Sequence, residues 1–150
     1  MTGYAFGTTV SSARSRDEIE RTLIRYGAEK FFYGNSKMGA GIAFTYKGRV
    51  IKFNVPFPPR ENYKNNKTGE IKREHEIKRL WRVLLLGIKA KLELVSSNLV
   101  SFEDEFLAQT CLPDGSTVSQ FIQPQIAQGI VTGKMPKGLL MAGLDECSGD

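Results

Sequence analysis

Few residues in this chain have the chemistry of a catalytic group, and they do not fall into a catalytic pattern. His75 is the only histidine, and it stands in a charged stretch between Lys72 and Glu76. A triad of serine, histidine and acid would depend on this one imidazole. A histidine in such a polar stretch is typical of a solvated helix residue, so we expect no active site around it.

Carboxylates are densest at Glu103, Asp104 and Glu105, where they could act as magnesium ligands in a nuclease. A metal site of that kind needs carboxylates that converge from separate elements. Side chains at adjacent helix positions point in different directions, and acids in a first turn interact well with the helix dipole. Gly39 and Gly41 lack the Lys and Ser or Thr of a phosphate-binding loop. We therefore predict a protein that is not an enzyme and has neither metal nor cofactor.

The two cysteines, Cys111 and Cys147, lie far apart and outside any ligand motif. We expect Cys111 to be a buried thiol and Cys147 to be exposed. Residues 1–10 lack the pattern of a secretory signal, and no apolar run approaches the roughly 18 residues of a membrane span. Both observations predict a cytoplasmic protein without membrane contact, and disulfides are rare in that compartment.

Net charge gives the first indication of a partner. The chain contains 21 Lys and Arg against 16 Asp and Glu, for a formal net charge of +5. Such a balance favours association with polyanions. The predicted nucleic-acid interface consists of cations for the phosphates and a tyrosine that could stack on a base: Arg49, Lys52, Lys64, Lys67, Lys78, Arg82, Lys89 and Tyr63. The same charges could simply solvate a helix and a hairpin, and that alternative stays open.

The elements that would position these residues begin with a helix. Residues 1–13 are rich in Gly, Ser and Thr and are predicted to form a flexible arm. Ser15 and Glu18 then form a capping-box pattern that predicts a helix start. Apolar residues at helical spacing continue the helix to Tyr26, and Gly27 is suited to end it in the left-handed conformation.

Three strands are predicted next. Phe31–Tyr33 is a short aromatic strand, and Ile42–Tyr46 and Arg49–Val55 flank a two-residue turn, Lys47 and Gly48. In that register one face of the hairpin is apolar, with Phe44 opposite Ile51 and Ile42 opposite Phe53. The other face is mostly polar and carries Ala43, Thr45, Val50, Lys52 and Asn54.

The longest periodic segment, Ile71–Ser96, predicts an amphipathic helix that follows an exposed loop at Tyr63–Gly69. Its apolar stripe comprises Ile77, Trp81, Leu84, Leu85, Ile88, Leu92 and Val95. Lys78, Arg82 and Lys89 lie nearly in line on the flank of that stripe. A basic helix flank beside a half-polar sheet could hold a phosphate backbone.

The remaining third of the chain is predicted to be helical and then irregular. Asn98 should end the long helix, and Ser101 should begin a short one. A second capping box at Thr117–Gln120 predicts a further helical segment that closes the core, with a kink or a new start at Pro124. Residues 133–150 are predicted to be a partly disordered tail.

Three segments resemble a family of small, uncharacterised phage and prophage proteins: Tyr26–Ala28, Arg79–Glu93 and Phe102–Val118. The resemblance extends from about Thr8 to Leu140 and implies a bacterial host cell as the setting. The order of elements, a helix, three strands and a long basic helix, is also similar to the core of the Rad52-like single-strand annealing proteins. That similarity implies a positive groove for single-stranded DNA and subunits that assemble into rings or filaments.

These observations predict one α+β domain over residues 14–132, in which a three-stranded antiparallel meander packs on the long helix. The predicted function is single-stranded DNA binding or annealing with little sequence specificity, in a phage or mobile element. The alternative is a phage interaction module that binds and inhibits a host protein, for example a defence component. The predicted partners are accordingly nucleic acid, further copies of the chain, or a host protein.

Overall fold

The computed structural model describes residues 2–136, with side chains from residue 12 onward. The helices and strands are α1 (Thr2–Ile24), β1 (Glu29–Asn35), β2 (Gly39–Tyr46), β3 (Arg49–Pro56), α2 (Lys67–Ser96), α3 (Phe102–Glu105) and α4 (Val118–Thr132), with 3-10 turns at Arg60–Asn62 and Leu107–Gln109. The predicted α+β class, with its antiparallel meander and long helix, is confirmed. Within residues 2–136 no helix combines the length and apolarity that crossing a membrane requires.

The hairpin formed by β2 and β3 has the register that the sequence predicts. Phe44 pairs with Ile51, and the neighbouring pairs follow without a shift. Lys47 and Gly48 both have positive φ angles, 47° and 79°, as the two central residues of a type I′ turn require. The strand β3 ends at Pro56, because proline cannot donate a hydrogen bond to a ladder.

Helices α1 and α2 lie side by side on one face of the sheet, and the core fills the space between the two layers. The buried apolar side chains are Ile19, Leu23, Ala28, Ile42, Phe44, Ile51, Val55, Trp81, Leu85, Ile88, Leu92, Phe102 and Phe106. The predicted packing of the hairpin's apolar face on the apolar stripe of α2 is thus confirmed, with Phe53 and Leu84 partly buried at the margin.

Two phenylalanines that the sequence analysis left out of the core close it beside β3. Phe106 meets Phe44 and Phe53 edge-on, with ring centroids 6.4 and 6.0 Å apart. Phe102 stacks on Tyr46 at a centroid distance of 3.7 Å. The short segment after α2 therefore closes the core, a role that was predicted for the C-terminal helix.

Helix α4 does not close the core, and that prediction was wrong. No residue of α4 is buried, and the helix contacts the 3-10 turn at Leu107–Gln109. It begins as predicted, with a capping box between Thr117 and Gln120, and ends at Gly133 with a φ of 69°. It continues as one helix through Pro124, so no new segment starts there. The inner face of the sheet is already covered by α1, α2 and the two phenylalanines, so no apolar surface there is left for α4.

The first helix starts earlier than predicted. Helix α1 begins at Thr2, so the segment predicted to be an arm, Met1–Ala13, is helical from its second residue. The capping-box pattern at Ser15 therefore lies inside the helix. The segment contains no proline, and adding residues to an existing helix is far easier than nucleating one. Gly27 follows the helix with a φ of 98°, as predicted, and most of the predicted tail, residues 137–150, lies outside the described residues.

Helix α2 also starts earlier than predicted, at Lys67. The Asn66 side chain caps it by accepting a hydrogen bond from the Gly69 N–H at 2.9 Å. Gly69 is buried against the backbone of Lys64, where a Cβ would lie 1.8 Å from the carbonyl oxygen. The last part of the predicted loop therefore belongs to the helix. Asn98 follows the helix in the left-handed conformation, with a φ of 58°, as predicted.

Candidate nucleic-acid interface

Four cations from α1 and α2 line a groove between these two helices, which we call the α1–α2 groove. Its volume is about 320 Å³, and its lining consists of Arg14, Ser15, Glu18, Lys78, Arg82, Leu85, Leu86 and Lys89. Among the described residues that line it, Glu18 is the one carboxylate. The groove therefore presents a net positive and partly apolar surface.

Helical spacing explains why these cations meet. Lys78, Arg82 and Lys89 are separated by four and then seven residues, which places them on one flank of α2. Arg14 and Glu18 are four residues apart and share a face of α1. Since α1 lies beside that flank of α2, the two sets of side chains line the same groove.

Glu18 and Lys89 form an ion pair that joins α1 to α2 across the groove. The hydrogen bond from Lys89, and then its charge, hold the pKa of the Glu18 carboxyl below its ordinary value. Glu18 is therefore ionised at neutral pH and compensates one of the four cations. The charges of Arg14, Lys78 and Arg82 exceed what this single carboxylate can offset.

The basic surface continues along α1. Glu18, Arg21 and Arg25 line an adjoining depression of about 480 Å³. Together with Arg14 these residues recur at intervals of four, three and four, which is one face of a helix. The sequence analysis missed all three arginines. Their spacing was the available signal, but a helix predicted to start after Ser15 left Arg14 outside it.

The structure brings Lys78, Arg82 and Lys89 together, but Lys52 is not with them. Lys52 pairs with Ala43 and alternates with the buried residues of β3, so it lies on the sheet face that points away from the helices. One track that includes Lys52 and the cations of α2 is therefore not formed. The sheet separates them.

Arg49 lies at the turn end of the hairpin, close to α3. The Lys47 Nζ atom beside it is 3.7 Å from Glu103 Oε1. The pKa of the Glu103 carboxyl is lowered, first by a backbone hydrogen bond at its own residue and further by the charges of Lys47 and Arg49. The Arg49 charge is thus partly balanced by an acid and lies outside the α1–α2 groove.

Tyr63, Lys64 and Lys67 form a third surface, at the amino-terminal end of α2. Arg60 Nη1 donates hydrogen bonds to the carbonyl oxygens of Tyr63 and Lys64, at 3.3 and 2.9 Å. The side chains of Lys64 and Lys67 are exposed, and Tyr63 is half-buried. Lys67 lies about 16 Å from Lys78 along the helix axis, at 1.5 Å per residue. This predicted loop is therefore separate from the groove.

The acidic cluster of α3 does not converge. Glu103 faces Lys47, whereas Glu105 Oε1 accepts a hydrogen bond from Lys91 Nζ at 3.1 Å. Each of these acids is thus engaged by a cation from a different element. In the part of the chain that the structure describes, no group of three His, Cys, Asp or Glu side chains is arranged to hold a metal ion.

His75 and Cys111 lie on different elements. His75 is half-buried on α2. Cys111 is half-buried, which is less than predicted, and its backbone N–H donates to the Val50 carbonyl at 2.7 Å. Cys147 lies outside the described residues.

Comparison with known proteins identifies no relative of this chain. No protein-family model matches the chain, and no curated protein and no solved structure matches it significantly. The resemblances to phage and prophage proteins and to single-strand annealing proteins therefore stay predictions.

Proposed function

We propose that this protein binds single-stranded nucleic acid, DNA in the first instance, through the α1–α2 groove and with little sequence specificity. The observation that carries the proposal is the composition of the groove, in which four cations face one carboxylate. Arg21 and Arg25 extend the same surface along α1. Phosphates are the ligands that such a surface favours, because their neutralisation releases condensed counterions.

The apolar part of the groove supports a single strand as the ligand. Leu85 and Leu86 line the groove together with the cations. A single strand exposes sugars and base faces beside its phosphates, and an apolar wall can pack against them without reading their sequence. The proposed complex therefore combines phosphate contacts from the cations with nonspecific packing on the exposed side chain of Leu86, since Leu85 is buried in the core.

Fluorescence anisotropy with a labelled oligothymidylate tests the proposal. Four phosphate contacts predict a slope of about −3 for log affinity against log salt, since each single-strand phosphate releases about 0.7 counterion. The double variant Lys78→Glu with Arg82→Glu should abolish binding, because it reverses two charges in the groove. The double variant Lys64→Glu with Lys67→Glu makes the same change in net charge outside the groove and should retain most of the affinity.

A third variant sharpens the experiment because it should strengthen binding. Glu18→Gln removes the one carboxylate of the described groove lining and releases Lys89 from its ion pair. The affinity for oligothymidylate should rise, whereas a groove that plays no part would leave it unchanged. A flat titration of folded protein at low salt, or equal losses in both double variants, would refute the proposal.

A second candidate function, binding to a host protein, is favoured by a different observation. Helix α4 buries none of its residues and exposes Phe121, Ile126, Ile130 and Val131. An uncharged helix with exposed apolar side chains is typical of a surface that a partner covers. This candidate predicts no binding of single-stranded DNA at physiological salt. It also predicts that Ile130→Asp releases a retained host protein while the groove variants keep it.

A further inference from the structure

The outer face of α2, opposite the core, carries a row of apolar and small side chains in solvent. Val83 is 50% exposed, Leu86 55% and Leu94 40%. Gly87 and Ala90 lie between them and are exposed as well. We call these five residues the outer stripe. A helix that is apolar on opposite faces normally has both faces covered, yet the sheet covers only one face of α2.

Gly87 is the least expected member of the outer stripe. Glycine in a helix interior costs roughly 0.5–1 kcal/mol relative to alanine. A Cβ on Gly87 would find no described atom within 4 Å other than those of its chain neighbours and of the backbone of its own helix. Packing within the chain therefore does not explain this glycine, whereas a second backbone that approaches α2 closely at this point would.

We propose that a second copy of the chain covers the outer stripe, with the two α2 helices antiparallel about a twofold axis that passes between Leu86 and Gly87. In this register Leu86 packs over Gly87 of the partner subunit, and Val83 packs over Ala90 of the partner subunit. Each large side chain thus meets a small one, and the helices can approach to about 8 Å. From Arg79 to Leu94 the contact extends over about 24 Å, or four turns.

Charge at the two ends of the outer stripe selects the antiparallel arrangement. Arg79 lies one turn before Val83, where its guanidinium also donates hydrogen bonds to Glu76 of the same helix at 3.0 and 2.6 Å. Glu93 lies beside Leu94 at the other end. The antiparallel register brings Arg79 next to Glu93 of the partner subunit, twice in the dimer. A parallel pair would instead place arginine against arginine and glutamate against glutamate, and it would stack Leu86 on its own copy. Opposite charges and complementary sizes therefore agree on one orientation.

The same symmetry relates the two α1–α2 grooves. In an antiparallel helix pair with this axis, the same flank of both helices lies on one side of the interface. The flank that carries Lys78, Arg82 and Lys89 therefore lies on the same side of the dimer as its copy, and a bound strand would be held there by these cations, because Leu86 is covered by the partner subunit. This consequence rests on the proposed function, whereas the dimer itself does not.

Sedimentation equilibrium of the full chain over a series of protein concentrations tests the dimer. The unmodified protein should associate to a dimer, and Gly87→Gln should remain monomeric because its side chain fills the gap over which Leu86 packs. At protein concentrations at which the unmodified chain is monomeric, the thermal stability of Gly87→Gln should be equal or higher, since glutamine is the better helix former. Gly34→Gln is the matched control, because Gly34 also has open space around its Cβ position but lies on β1. It should still form a dimer.

A charge exchange provides an independent test. Glu93→Arg should weaken association on the order of fivefold, because it replaces two attractive pairs with repulsive ones. Arg79→Glu should do the same, since the pair with Glu76 that it also breaks is lost in monomer and dimer alike. The double variant should restore it. A chain that is monomeric at all concentrations, a dimer that survives Gly87→Gln, or a double variant that stays as weak as the singles would overturn the proposal. A dimer that forms without binding oligothymidylate would remove the proposed function and retain this inference.

Discussion

Helices α2 and α4 show the same local sequence signals but differ in whether they are buried in the core. Each begins at a capping side chain, Asn66 in α2 and Thr117 in α4, and each is followed by a residue in the left-handed conformation. Each has apolar side chains at helical spacing. Yet α2 buries four large apolar residues, and α4 buries none. Local signals thus determine that a helix forms, whereas packing depends on a free complementary surface.

The position of each helix relative to the sheet explains the difference. Helix α2 is the first α-helix after β3 and lies across the inner face of the sheet with α1. By the time the chain reaches α4, Phe102 and Phe106 have filled the remaining space beside β3. Thr110 then forms a single bridge with Ile51, outside the named strands. Helix α4 is left with the 3-10 turn as its neighbour.

The largest effect that tests this comparison is expected at Trp81. It is 4% exposed, and the Arg16 guanidinium lies 5.8 Å from its ring centroid. Trp81→Ala should lower the free energy of unfolding by about 3–5 kcal/mol, because it leaves a cavity between α2 and the sheet. Phe121→Ala is the aromatic counterpart on α4, where the side chain is 46% exposed, and should cost much less. Urea denaturation measures both, and equal losses would contradict the comparison.

Most of the fold was predictable because its signals are local. The β2–β3 register follows from alternation and a two-residue turn, and the ends of α1 and α2 follow from Gly27 and Asn98. The errors concern competition between distant segments of the chain for the same space in the core. Nothing in residues 118–132 shows that Phe102 and Phe106 already occupy the space that α4 was expected to fill. The helical state of residues 2–13 was missed because glycine and serine lower helix propensity without preventing a helix.

The candidate interface was predictable only in part. The flank of Lys78, Arg82 and Lys89 is a property of one helix and could be derived from spacing alone. The contribution of Arg14 depends on how α1 packs on α2, which no local pattern encodes. Lys52 was misplaced for a related reason. Alternation puts it on the polar face of the hairpin, but only the packed structure shows that the helices lie on the other face.

A smaller effect is expected at two helix caps, Ser101 of α3 and Thr117 of α4. Ser101 caps α3 by accepting a hydrogen bond from the Asp104 N–H at 3.1 Å, and Thr117 caps α4 in the same way at 3.2 Å. Replacing either with alanine should cost about 1 kcal/mol in the helix concerned. Because α3 carries Phe102 into the core, Ser101→Ala should lower global stability by that amount.

Thr117→Ala should act locally instead. The loss should appear as faster hydrogen exchange in α4, about fivefold for 1 kcal/mol, with little change in the urea midpoint. Hydrogen exchange followed by mass spectrometry separates the two responses. A shift of the urea midpoint in Thr117→Ala as large as in Ser101→Ala would mean that α4 unfolds together with the core.

The smallest effect is expected at Ile130, which tests whether the exposure of α4 persists in solution. Ile130 of α4 is 78% exposed, whereas Ile88, an isoleucine in the core-facing stripe of α2, is 0% exposed. Ile130→Ala removes side-chain atoms that already contact water, so the free energy of unfolding should change by no more than about 0.5 kcal/mol. Ile88→Ala should cost about 2–5 kcal/mol, because the same atoms are removed from a packed core. A loss above about 1 kcal/mol in Ile130→Ala that grows with protein concentration would reveal that a second copy of the chain covers α4. A loss of that size without concentration dependence would show that another part of the same chain covers the helix.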